Sequence, residues 1–79
     1  MQIQYKKKAV KYIKTCDKPT KQRLKTAIER LPQGDVKKLS GLEKDYRLRV
    51  GDLRVLFSIE DDSIIIMDIS PRGQVYKNI

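Results

Sequence analysis

Seventy-nine residues are enough for one domain, and a chain this short buries only roughly 60–65% of the surface it would expose unfolded, so its core must be thin. At 39% hydrophobic and 35% charged residues the composition is globular rather than disordered, with no run of 18 apolar residues to span a membrane and no signal-peptide pattern after Met1, so a cytoplasmic location is expected. A single cysteine and no histidine exclude an internal disulfide, a conventional zinc site and any histidine-based proton relay; no metal or cofactor is expected. The net charge of +8 is uneven: residues 1–38 hold twelve Lys/Arg against three Asp/Glu, whereas residues 39–79 hold six against seven. A basic surplus of this kind suits a polyanion such as nucleic acid, or else a solvated lysine-rich helix face.

Gln2 to Tyr5 reads as a short strand. From Lys6 the period becomes helical, with Ala9, Val10, Ile13 and Cys16 forming an apolar stripe that should be buried, Cys16 as a small core residue. Lys7, Lys8, Lys11 and Lys14 lie largely off that stripe. Asp17 or Thr20 can cap a second helix, which tolerates Pro19 near its start. This helix carries Leu24, Ala27, Ile28 and Leu31 on one face, puts Lys21, Arg23, Lys25 and Arg30 mostly elsewhere, and ends at Pro32 and Gly34. The two helices are expected to form a hairpin covering one sheet.

Gln33 to Gly41 reads as a polar connection. The period then switches to two: Tyr46, Leu48 and Val50 alternate with Arg47 and Arg49. Gly51-Asp52 suits a two-residue type II′ turn, and Leu53, Val55, Phe57 and Ile59 return the chain. Asp61-Asp62-Ser63 turns again into Ile64–Met67, apolar on both faces as in a central strand, and Ser70-Pro71-Arg72-Gly73 should break the sheet pattern.

If Gly51-Asp52 is the whole loop, Val50 faces Leu53, Leu48 faces Val55 and Tyr46 faces Phe57, so one face of the hairpin is wholly apolar. The same register sets Arg49 opposite Arg54, with Arg47 one step along. Opposed like charges are destabilising. Either three guanidiniums converge on an anion such as phosphate, or the arginines pair with Glu43, Asp45 or Asp68. Arg72 and Tyr76 should arrive at the same end of the sheet. No phosphate-binding glycine loop is present, so any catalysis must use Lys, Arg, Tyr and backbone.

The run Lys38-Leu39-Ser40-Gly41-Leu42, the segment Tyr46-Arg47-Leu48-Arg49-Val50-Gly51-Asp52-Leu53-Arg54-Val55-Leu56-Phe57 and the closing Arg72-Gly73-Gln74-Val75-Tyr76 resemble the RelE/ParE superfamily of toxins from type II toxin–antitoxin pairs. The resemblance implies a single α+β domain over residues 1–79: an N-terminal strand, a helical hairpin, then three strands of a mostly antiparallel sheet, with both helices on one face. It implies a cytoplasmic toxin whose partners are a cognate antitoxin, the ribosome and mRNA, and whose activity is ribosome-dependent mRNA cleavage by 2′-OH attack on the adjacent phosphate. Arg54, Arg72 and Tyr76 would then be catalytic, Tyr76 as proton acceptor with Lys77 second. Arg47, Arg49 and Lys77 would bind phosphate, and Lys7, Lys8, Lys11, Lys14, Lys21 and Lys25 would grip the RNA backbone. Arg47 and Arg49 stand where RelE-like members often carry lysine, and Pro71 where many carry histidine. A ParE-like inhibitor of DNA gyrase and a degenerate, non-toxic RNA- or antitoxin-binding module are the alternatives.

Overall fold

The computed structural model describes residues 2–39 and 45–71. Their elements run β1 (Gln2–Tyr5), α1 (Lys7–Thr15), α2 (Lys18–Glu29), β2 (Val36–Lys38), β3 (Asp45–Val50), β4 (Leu53–Glu60) and β5 (Ser63–Pro71). The strands form one sheet in the order β1-β5-β4-β3-β2. All neighbours are antiparallel except β1 and β5, which run parallel. The α+β class and the paired helices are as expected from the sequence.

The α1–α2 corner follows from local chemistry. Asp17 takes the N-cap position of α2, and its carboxylate accepts a hydrogen bond from the Thr20 N–H at 3.0 Å. Hydrogen bonding from the Thr20 side chain first, and from this backbone N–H second, holds the Asp17 carboxyl below the usual carboxylate range. Pro19 occupies the first turn, where no helical donor is lost. Leu24 and Ile28 then turn inward together, because residues four apart share a helix face, and Leu31, just past the end of α2, is buried with them.

The expected hairpin register is present in full: Val50 with Leu53, Leu48 with Val55, and Tyr46 with Phe57, whose rings stack with centroids 5.4 Å apart. Gly51 has φ +57°, and Asp52 does not share the positive φ, as a type II′ turn requires. The apolar face of the sheet meets the helices in one core: Ala9, Leu24, Ile28, Leu48, Val55, Phe57, Ile64 and Ile66 are almost wholly buried.

Four expectations need correction. Gln33 to Gly41 is not all connection, since Val36–Lys38 pairs with β3 as an edge strand and raises the count of strands to five. β5 does not stop before Ser70. A bulge at Met67 lets the chain continue to Pro71, with Ser70 opposite Arg54 and Pro71 opposite Leu53. Val10 is 37% exposed rather than core, because Ala9, Tyr12 and Ile13 take the inward side of α1. Cys16 is only half-buried: α1 has ended there, and its thiol donates to the Tyr12 carbonyl at 3.4 Å.

Candidate functional site: a cationic sheet face

The sheet has a second face, turned away from the helices, and cross-strand register says which residues share it. One row reads Lys37, Arg47, Leu56, Asp68; the next reads Arg49, Arg54, Ser70. Two adjacent rows thus carry four cations, and each row opposes a cation to a cation: Lys37 to Arg47 across β2 and β3, Arg49 to Arg54 across β3 and β4. The Arg49 N–H donates to the Asp35 carbonyl on the β2 side at 3.0 Å, so Arg49 and Arg54 form a non-hydrogen-bonded pair. In such pairs the Cα atoms lie about 4.5 Å apart and the side chains are at their closest. A sheet selected for stability alone would set an acid against each of these cations.

Among the described residues, neither Asp68 nor Asp35 does much to neutralise Arg47 and Arg49. Asp68 pairs with Lys8 at 3.5 Å. Arg49 reaches Asp35 only at 4.0 Å between two solvent-accessible side chains, a contact weakened by water. Glu43 lies outside the described residues. Arg47 is 7% exposed, and its Nη1 is buried without a hydrogen-bond partner. A guanidinium held out of water with an unused donor is costly in a folded chain, and an incoming phosphate oxygen would remove that cost.

The structure therefore brings Arg47, Arg49 and Arg54 to one face, as the sequence register requires. Arg72, Tyr76 and Lys77 lie outside the described residues. Lys7, Lys8, Lys11 and Lys14 sit on α1, and Lys21 and Lys25 on α2, away from the arginines' own strands; of these Lys8 alone reaches, by its ion pair with Asp68, a residue in the arginines' row. Sequence reasoning missed Lys37. The signal was weak, since three residues between a turn and a polar segment show too little alternation to read as a strand. Its place beside Arg47 depends on which strand β2 pairs with.

Comparison with known proteins agrees with this architecture. The family model described as "ParE toxin of type II toxin-antitoxin system, parDE" matches residues 3–76. The chain is 32% identical over 85 residues to the protein RelE1 of Methanocaldococcus jannaschii, covering 96% of this chain and 94% of that one. Among solved structures, the RelB–RelE antitoxin–toxin complex from Methanococcus jannaschii contains a chain that superposes with a TM-score of 0.81 at 26% identity, covering 96% of this chain and 98% of that chain. The archaeal RelE–RelB complex from Pyrococcus horikoshii OT3 contains one with a TM-score of 0.75 at 31% identity, covering 92% and 96%.

Proposed function

The chain belongs to the ParE toxin family of type II toxin–antitoxin systems, within the RelE/ParE superfamily, and we propose that it is a toxin that cleaves mRNA on the ribosome and is neutralised by a cognate antitoxin. The observation that carries this reading is the cationic sheet face: Lys37 against Arg47, Arg49 against Arg54, and a buried Arg47 donor awaiting an acceptor. Similar chains solved together with RelB support the antitoxin as partner. The whole length of residues 1–79 would act as one toxin domain, in the cytoplasm where its target is.

In the proposed reaction a ribose 2′-oxygen attacks the adjacent phosphorus, its proton passes to a base, the P–O5′ bond breaks, and the 5′-oxygen takes a proton. The products are a 2′,3′-cyclic phosphate and a 5′-hydroxyl. Negative charge grows on the phosphate oxygens as O2′ arrives. Arg54 and Arg72 would stabilise it, because planar guanidiniums donate paired hydrogen bonds to such oxygens. Arg47 and Arg49 hold a neighbouring phosphate. Tyr76 takes the 2′-OH proton, with Lys77 second. Lys37, beside Arg47 on the same face, adds a further cationic donor to the phosphate. Lys7, Lys8, Lys11, Lys14, Lys21 and Lys25 contact ribosomal RNA phosphates without reading sequence.

The test is a reporter mRNA translated in a purified system, with the 5′ ends of fragments mapped after the protein is added. Cuts confined to translated mRNA, reduced about 10²–10³-fold by Arg54→Ala or Arg72→Ala, are expected. A second reading, a ParE-like inhibitor of DNA gyrase, is favoured by the family model that matches and by the arginines at positions 47 and 49. Intact mRNA together with blocked DNA supercoiling would establish it in place of cleavage. A chain that bound an antitoxin but did neither would be the degenerate module.

A further inference from the structure

The row that carries Lys37 and Arg47 does not end in cations. Across β4 and β5 it continues to Leu56 and then Asp68, which face each other directly in the sheet. Leu56 is half-buried, yet it belongs neither to the core nor to the partly buried hydrophobic side chains packed against it. Ile65, between the core residues Ile64 and Ile66, shares that outer face and is likewise half-buried outside the core. The Asp68 side chain is 24% exposed. Its Oδ2 lies 3.5 Å from Lys8 Nζ, on a side chain 76% exposed, so the ion pair is a surface contact of little worth that an incoming partner can displace. Neighbouring strands are about 4.7–4.9 Å apart, which sets the backbone of Asp68 roughly 9–10 Å from that of Arg47 along the row, with Leu56 between them.

We propose that Leu56 and Asp68 form a base slot beside the phosphate site, in which the base lies on Leu56 and the Asp68 carboxylate selects guanine. The separation from Arg47 suits one nucleotide, whose base edge lies well away from its phosphate. An apolar side chain gives any unstacked base a surface to lie on but no means of choosing among them. The carboxylate chooses, because it offers two acceptor oxygens and no donor. Guanine alone presents two neighbouring donors, N1–H and the N2 amino group, on its Watson–Crick edge. Adenine and cytosine set one donor beside an acceptor, and uracil flanks its one donor with two carbonyls, so each of these turns a lone pair toward the carboxylate. A face that took phosphate alone would gain nothing from an acid in the row, since a carboxylate repels the backbone that the cations attract.

Base selection here rests on reading the cationic face as an RNA site and not on the cleavage step. The test titrates the full chain with 2′-O-methyl trinucleotides that differ only in the central base and cannot be cut, with binding followed by amide shifts in NMR up to millimolar concentration. The guanine trinucleotide should bind at least about tenfold more tightly than the other three, with shifts at Leu56 and Asp68 that the others do not produce. Asp68→Asn replaces one acceptor with a donor, so it should lose the guanine preference and favour adenine or cytosine, a switch that a misfolded chain would not show. Lys8→Ala breaks the ion pair but leaves the carboxylate, and should keep the preference for guanine. Equal binding of the four trinucleotides, no binding of any, a guanine preference that survives in Asp68→Asn, or one that disappears in Lys8→Ala would each overturn the proposal. The translation assay separates the two readings. A chain that prefers the guanine trinucleotide but cuts nothing sinks the cleavage reading alone, whereas cuts with no base preference sink the base slot alone.

Discussion

Replacing Arg47 with methionine should make the protein more stable and less active. Arg47 is 7% exposed, and its Nη1 is buried without an acceptor. A buried donor left unsatisfied costs about 1–3 kcal/mol, and more where it is charged. Lys37 directly opposite adds a repulsion of a few tenths of a kcal/mol or more, since opposed like charges destabilise a sheet. Methionine keeps the length and packing of the aliphatic stem, so the offsetting loss of contact should stay below about 1 kcal/mol. The expected net gain is about 1 kcal/mol, or roughly 4–8 °C in Tm for a domain of this size. Urea titration should move the midpoint upward without changing the slope. Inorganic phosphate should raise the Tm of the wild type, because a ligand bound only by the folded state stabilises it, and should do so much less for the variant. Cleavage of translated mRNA should fall at least about tenfold, the loss expected for one charge-assisted contact. A variant less stable than the wild type would show that the Arg47 guanidinium is satisfied in solution, and the case for a waiting phosphate site would fail with it.

Arg49→Glu should place a carboxylate opposite Arg54, stabilise the hairpin by about 0.2–1 kcal/mol in thermal melts at low salt, and abolish RNA cleavage by reversing the local charge. Gly34 has φ +117°, and a Cβ there would lie 3.3 Å from Leu48 Cδ1, so Gly34→Ala should cost about 1–3 kcal/mol in chemical denaturation by straining the entry to β2. Asp17→Ala should lower Tm at neutral pH and flatten the acid limb of the stability curve. The folded-state pKa of Asp17 is depressed, so its contribution is complete above the ordinary carboxylate pKa and disappears as pH falls through the lower folded value. Equal acid sensitivity of the two proteins would show that the cap bond is not what holds the start of α2.

Local chemistry in the sequence was enough to define the β3–β4 hairpin, because a period of two and a Gly51-Asp52 turn leave one register that buries every apolar side chain, and that register sets Arg49 against Arg54. The Asp17 cap and the Leu24, Ile28, Leu31 stripe were equally legible, since capping and helical spacing act within a few residues. Only the tertiary structure could decide the rest. β1 pairs in parallel with a strand some sixty residues later, and no local pattern names that partner. β2 is three residues long and becomes a strand only because β3 offers it an edge, which is what sets Lys37 beside Arg47. Val10 repeats at helical spacing like a core residue, yet it lies exposed in a groove between elements. Periodicity tells which side chains share a face; what that face meets depends on contacts between distant parts of the chain.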